Sequence, residues 1–241
     1  MELTCIVPAR NEQGHLRQLI QEILSIKQIN EIFIVEGGST DDTFKEAERI
    51  ASENSQKVKV LRQNGKGKFN AVLTGAHHAT NDFIIIWDAD GTVPIESTNK
   101  LIKNVIAKGV FTMGDRLRGK IEKGAMQKLN FIGNWLFAYA WSPILGTKPV
   151  DMLCGTKIIE KIVFQNIPNK LLTIDPYGDF ALVAAARALG RKIESIPVNY
   201  SKRTYGATNI NRWTGGIRLF GITVYVYGWI IKSRISLKLN P

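Results

Sequence analysis

Two aspartates separated by a single residue, Asp88-Ala89-Asp90, follow the apolar run Phe83-Ile84-Ile85-Ile86-Trp87 and precede Gly91. Positions two apart in an extended chain share a face, so both carboxylates can reach one cation. A divalent metal held there could carry a diphosphate. An acidic turn after a strand is the competing explanation of the same residues, since a short motif alone matches by chance. A third carboxylate, Asp179, follows Gly178 and opens an alanine-rich apolar stretch that runs to Leu189. Beside a cleft, a partly desolvated aspartate could take a proton from an attacking hydroxyl. At a helix start the same residue could instead be an N-cap.

Basic residues that could meet phosphate occur in two clusters. Gly65-Lys66-Gly67-Lys68 could bring positive charge and helix-start amides to a diphosphate, although the spacing is not that of a Walker loop. A solvated basic turn is the alternative. Arg116 and Arg118 would point the same way if their segment is extended, and the planar guanidinium fork suits phosphate. His77 and His78 have no matching ligands nearby and are expected at the surface or in packing. Cys5 and Cys154 form neither a metal-ligand pattern nor a disulfide framework, and Cys5 is expected in the core.

The elements that must position these residues follow from hydrophobic periodicity. Leu3 to Val7, ended by Pro8, reads as a first strand. Leu16, Leu19, Ile20, Ile23 and Leu24 lie at helical spacing. Ile32 to Val35 and Val58 to Leu61 are further strands, and the run ending at Asp88 is the fourth. Ser39 or Thr40 is expected to cap the second helix, with Asp41 and Asp42 in its first turn. Gly65-Lys66-Gly67-Lys68 opens a third helix, running through Ala71, Val72, Gly75 and Ala76. Strands alternating with helices predict a doubly wound, mostly parallel α/β sheet, with the strand-end loops on one edge.

The second half is less regular. A strand is expected over 109–113, an apolar, aromatic-rich core helix over 124–145, a helix from Asp179 to Leu189, a strand over 192–200 and a helix over 208–220. Leu219 to Ile231 is nearly all apolar and flanked by Arg218, Lys232 and Arg234. It is shorter than the roughly 20 residues that span a bilayer. It is expected to be either an interfacial anchor or a helix packed on protein. The division is therefore one domain over 1–217 with an appendage over 218–241.

The 241 residues are 44% hydrophobic and 22% charged, which suits a globular domain with a sizeable core. A formal charge of +11 favours phosphate-rich partners: sugar nucleotides or an anionic membrane surface, with nucleic acid set lower because no dense basic arm is present. The N-terminus lacks the order of a secretory signal, so a cytoplasmic location is expected, with peripheral membrane contact as an option.

Together, Pro8-Ala9-Arg10-Asn11-Glu12, Glu36 to Thr43, Gly65-Lys66-Gly67, Asp88-Ala89-Asp90 and Gly178-Asp179-Phe180 occur in the order typical of the inverting GT-A glycosyltransferases of family 2, which this chain resembles. Met113 to Leu117, Leu153 to Lys157 and Arg203 to Ile210 resemble the polyprenyl-phosphate (dolichol-phosphate) mannose or glucose synthase-like bacterial branch. The resemblance implies a GT-A fold and transfer of a sugar from a nucleotide-diphosphate donor to a polyprenyl phosphate or to a glycan or glycolipid hydroxyl, in making cell-envelope polysaccharide or glycolipid. It implies that Asp88 and Asp90 hold Mg²⁺ or Mn²⁺ at the donor, with Ala89 between them. Pro8, Ala9, Arg10, Glu12 and Glu36 would form the nucleoside edge, and Lys66 would lie near the nucleotide. Asp179 falls where this family places its catalytic base. Arg203 and Tyr205 would close over phosphate, joined by Arg116 and Arg118 if the acceptor is a lipid phosphate.

The family's usual Asp-Asp-Gly-Ser after the second strand is replaced here by Glu36-Gly37-Gly38-Ser39, so the motif does not choose among UDP, GDP and dTDP. Many branch members carry C-terminal transmembrane helices; the tail here implies an interfacial or soluble mode instead. Two other functions would use similar residues: a sugar-nucleotide nucleotidyltransferase, or a catalytically silent sugar-nucleotide or membrane-binding module. Oligomer formation is left open.

Overall fold

The computed structural model describes residues 1–203 and 212–239, with side chains described over 1–203 and 215–230. The first half alternates strands and helices as expected: β1 (Leu3–Ala9), α1 (Leu16–Leu24), β2 (Ile29–Glu36), α2 (Thr43–Glu53), β3 (Val58–Arg62), α3 (Lys68–His78) and β4 (Phe83–Ile86). Next come α4 (Ile95–Lys108), β5 (Phe111–Asp115), α5 (Lys128–Leu145), β6 (Lys157–Glu160), α6 (Lys161–Gln165), α7 (Asn169–Ile174), α8 (Asp179–Ala188), β7 (Ile193–Pro197) and α9 (Arg212–Leu239).

The strands form one seven-stranded sheet in the order β3-β2-β1-β4-β6-β5-β7. All neighbours pair in parallel except at β6, which runs antiparallel to both β4 and β5. The central strands are apolar on both faces because helices cover both. Cys5, Val7, Ile32, Ile34, Ile85 and Trp87 pack with α1, α2 and α4. The residues between them, Ile6, Phe33, Val35 and Ile84, pack on α3, while Ile86 joins α5, α8 and α9 in a second core. This is the period-two alternation of a sheet buried on both sides.

Several boundaries differ from expectation for identifiable reasons. Strand β1 continues through Pro8 to Ala9; β4 pairs with it only up to Ile6, so Pro8 has an open side where its missing N–H is not needed. Helix α2 is not capped by Ser39 or Thr40. Asp41 Oδ1 instead accepts from the Thr43 amide at 3.0 Å and from its hydroxyl at 2.5 Å. The apolar tail is not a separate piece: α9 is continuous from Arg212 to Leu239, so the boundary after residue 217 falls inside it. Leu219, Ile222 and Val226 of α9 are core residues, Trp141 Nε1 donates to Thr223 Oγ1 at 3.1 Å, and Tyr227 donates to the Ala140 carbonyl. Among the described residues no helix is long and apolar enough to cross a membrane.

Helix α5 also departs from the all-core expectation. Ala138, Trp141, Ile144 and Leu145 are buried, but Leu129, Phe131, Ile132, Leu136 and Tyr139 are exposed.

Helix α8 is held at its start by a buried aspartate. Asp175 Oδ1 accepts from the amides of Tyr177 (3.1 Å) and Gly178 (2.9 Å), and Oδ2 from Phe180 (3.0 Å) and Ala181 (2.9 Å). Removing it would leave four amides without that acceptor. Asp175→Ala is expected to lower the unfolding free energy by about 2 kcal/mol, the upper end for loss of a helix cap. Asp175→Asn, which keeps one acceptor oxygen, is expected to lose less; denaturant titration would measure both.

Candidate active site

Strands β1, β2 and β4 are parallel, so their carboxyl ends deliver three loops to one edge. The first two loops are tied together. Gly37 N donates to Ala9 O at 2.9 Å, Thr40 N to Asn11 Oδ1 at 2.8 Å, and Glu12 N to Thr43 Oγ1 at 2.9 Å. Pro8 and Ala9 end β1, Arg10 is exposed, and Glu12 turns back into the protein. Glu36 is buried, and its carboxylate accepts from the Ser39 amide, so it organises its own loop.

Asp88 and Asp90 lie just beyond β4, whose ladder stops at Ile86, so their convergence comes from a turn rather than from strand alternation. Asp88 Oδ1 meets Lys68 Nζ at 2.5 Å. Asp90 Oδ2 meets Arg203 Nη2 at 2.5 Å, while its Oδ1 accepts from the Thr92 amide (3.1 Å) and hydroxyl (2.8 Å). Burial pushes the Asp90 carboxyl up, but Arg203 and Thr92 outweigh it and hold the group below its ordinary range. Burial alone would lower the Lys68 ammonium; Asp88, Asp179 and Asp90 together raise it instead. Glu12 lies beside this cluster. Burial pushes its carboxyl up to about 7; Arg203 opposes this, and Asp90, Asp88 and Asp41 reinforce it. Its Oε2 is buried without a hydrogen-bond partner among the described residues.

Asp179 is the first residue of α8, after the N-cap Gly178. The capping role belongs to Asp175, which leaves the Asp179 side chain available for the site. Its carboxylate meets the ammonium of Lys157, a wholly buried lysine that also donates to the Cys154 carbonyl. Lys157 is brought there by the reversed strand: β6 pairs antiparallel with β4 in the register Ile86↔Lys157, so the amino end of β6 lies at the carboxyl end of β4. Gly155, just upstream, lies in close approach to two of these side chains. A Cβ there would lie 2.0 Å from Asp88 Oδ2 and 2.4 Å from Lys68 Nζ. Gly178 is constrained too: φ is +81°, and a Cβ would lie 2.2 Å from Phe69 Cδ2.

The remaining site expectations divide. Lys66 is exposed in the turn, and it is Lys68, at the head of α3, whose ammonium enters the cluster. Arg116 and Arg118 are not on an extended segment; the chain turns after Asp115. The Arg116 guanidinium forms a two-bond fork with buried Asp151 (2.6 and 3.0 Å), and Arg118 Nε meets buried Asp115 at 2.6 Å. Both are thus engaged internally. Arg203 enters the cluster as described, and Tyr205 lies outside the described residues. Sequence reasoning missed Lys157, Asp151 and Asp175. His77 and His78 are exposed at the far end of α3, and both cysteines are buried.

Among the described residues no three His, Cys, Asp or Glu side chains are placed to hold a metal by themselves. Two hard carboxylates on a polar edge do fit Mg²⁺ or Mn²⁺, which commonly take one or two protein carboxylates and complete their shell with substrate phosphate and water.

Comparison with known proteins identifies the family and the fold. Residues 4–166 match the family described as glycosyl transferase family 2. The chain is 28% identical over 216 residues to the glycosyltransferase AglJ of Haloferax volcanii, covering 87% of this chain and 67% of the relative. It is 26% identical over 219 residues to the dolichyl-phosphate beta-glucosyltransferase ALG5A of Trichomonas vaginalis, covering 83% and 66%. It thus spans about two thirds of the length of these relatives. The crystal structure of glucosyl-3-phosphoglycerate synthase from Mycobacterium tuberculosis, in complex with Mn²⁺, UDP and glucosyl-3-phosphoglycerate, shares the fold with a TM-score of 0.65 at 16% identity, covering 92% of this chain and 78% of that one. The nucleotidyltransferase alternative is set aside by this membership. The sheet is a GT-A sheet, the relatives include polyprenyl-phosphate sugar transferases, and the chain belongs to glycosyl transferase family 2.

Proposed function

We propose that this chain transfers a sugar, with inversion, from a nucleotide-diphosphate donor to a polyprenyl phosphate. The observation that carries the reading is the convergence of Asp88, Asp90 and Asp179 on one sheet edge, each against its own cation. Asp88 and Asp90 would hold the divalent metal, which when bound supplies charge neutralisation for the departing diphosphate. Pro8 to Glu12 and Glu36 form the edge available to the nucleoside. Asp179, its carboxylate anchored by Lys157, is positioned to orient the acceptor. A lipid phosphate is already nucleophilic and needs no base; a glycan or glycolipid hydroxyl would require Asp179 to take its proton. Arg203 would supply positive charge for an acceptor phosphate, while Arg116 is held by Asp151.

The exposed apolar residues suit the same acceptor class. Leu129, Ile132, Leu136 and Tyr139 recur at i, i+3, i+7 and i+10 along α5, and Ile217, Phe220 and Val224 form a second stripe on α9. Exposed Lys120, Lys123 and Lys128 lead into the first stripe, and a small hollow lined by Ile121, Met126, Phe131 and Ile132 opens beside it. An apolar ridge bordered by lysines is the chemistry of a helix seated on an anionic lipid surface. This reading gives the chain peripheral membrane contact.

Four outcomes are expected. Asp88→Asn and Asp90→Asn should each reduce transfer by at least about 100-fold while circular dichroism stays unchanged, the scale of losing transition-state charge stabilisation. Undiminished activity in excess chelator would remove the metal assignment. Asp179→Asn should reduce turnover far more than donor affinity; a defect confined to affinity would make it a donor-binding residue. NMR of the product should show the inverted anomer. The double variant Ile132→Glu/Leu136→Glu should sediment with anionic phospholipid vesicles about tenfold less than the parent chain, and equal sedimentation would overturn the membrane face. Donor binding without transfer to any acceptor would favour the silent-module reading.

A further inference from the structure

We propose that Lys68 is a donor-phosphate ligand held in reserve: it occupies Asp88 while the site is empty and passes to the diphosphate when a divalent cation takes that carboxylate. The inference rests on the proposed metal and donor site and selects Lys68 from the basic turn, where the family resemblance implies Lys66. Lys66 faces solvent.

The geometry is specific to Lys68. It is the first residue of α3, and its backbone is fixed there because the next amide, Phe69 N, donates to Pro176 O at 3.0 Å. Its long stem carries Nζ to 2.5 Å from Asp88 Oδ1. Gly155 leaves the space in which the ammonium and the second Asp88 oxygen lie side by side; any β-carbon would fill it. The side chain is only 27% exposed, so the ammonium keeps a carboxylate or phosphate partner rather than water alone.

Charge balance then gives the exchange its direction. Asp88, Asp90 and Asp179 face Lys68, Arg203 and Lys157, three charges of each sign, with Glu12 beside them. A divalent cation arriving alone adds positive charge beside Lys68 and Arg203 and must compete with both for the same carboxylates. A cation arriving with a sugar-nucleotide diphosphate adds equal and opposite charges. The metal can then take Asp88, and the released ammonium finds a phosphate oxygen within reach of its flexible stem. Lys68 therefore opposes metal alone and favours metal plus diphosphate. A lysine with a purely structural role would not produce effects of opposite sign.

The test uses the full chain and calorimetric titration with two probes: Mn²⁺ alone, then UDP, GDP and dTDP each at saturating Mn²⁺. For Lys68→Met, Mn²⁺ alone should bind about tenfold more tightly, and the preferred nucleoside diphosphate about tenfold more weakly, each the effect of one partly buried charge. Lys68→Arg should restore diphosphate affinity. Lys68→Gln, which keeps a polar head against Asp88, should repeat the opposite shifts if the methionine variant is not recovered folded. Shifts of the same sign, no shift in either titration, or failure of arginine to restore binding would overturn the role of Lys68. If the parent chain binds no Mn²⁺–nucleotide pair at all, the underlying donor-site reading fails instead.

Discussion

Carboxylates gathered in a partly buried space repel one another and lose hydration, and neither cost is small in a protein interior. Asp88, Asp90 and Asp179 are tolerated together because Lys68, Arg203 and Lys157 are delivered to the same place. Much of the second half of the chain is arranged around that requirement. The antiparallel β6 brings a buried lysine to the end of a parallel strand, Gly155 clears the space beside Asp88, and Asp175 fixes the start of the helix that carries Asp179. Glu12, beside the same cluster, has its carboxyl pushed up to about 7 by burial, against the opposing pull of Arg203.

The parts of this arrangement that could be read in the sequence are those set by local rules. The four parallel strands of the first half are continuous apolar runs bounded by polar, glycine-rich loops, and their edge follows from the handedness and direction of βαβ units. Asp88, Asp90 and Asp179 were found because each ends or begins such an element. Arg203 and the basic turn holding Lys68 are legible as cations for phosphate but not as partners of these carboxylates, and Lys157 is not legible at all, because a basic side chain looks the same in sequence whether it faces solvent or a carboxylate. Lys157 begins a strand of only four residues that reverses the sheet direction, a pairing fixed by tertiary register alone. The choice between Lys66 and Lys68 depended on where α3 begins, a boundary that composition does not mark. Arg116 and Arg118 were placed on an extended segment because nothing in the residues announced a turn after Asp115.

Helix α5 illustrates a different limit. Apolar residues occur on most of its circumference, and such a helix can face a protein core, a lipid surface or both. The buried side meets α8 and α9, while the outward side keeps Leu129, Ile132 and Leu136 in the open. Water exclusion by protein and by lipid selects the same side chains, so the pattern identifies an apolar environment without naming it.

The antiparallel insertion of β6 also carries a consequence for how the molecule assembles. Asp88 and Asp90 belong to the first half of the chain, whereas Asp179 and two of the three cations of the cluster, Lys157 and Arg203, come from the second. Until the later chain docks, Asp90 lacks its Arg203 partner, and Lys68 is the cation of the cluster that the early α/β unit itself supplies. Competence to hold a substrate is thus a late, global property, acquired when contacts between distant parts of the chain close. A polypeptide emerging from the ribosome would build the scaffold first and become a sugar-handling surface only after its final third has folded back onto the sheet.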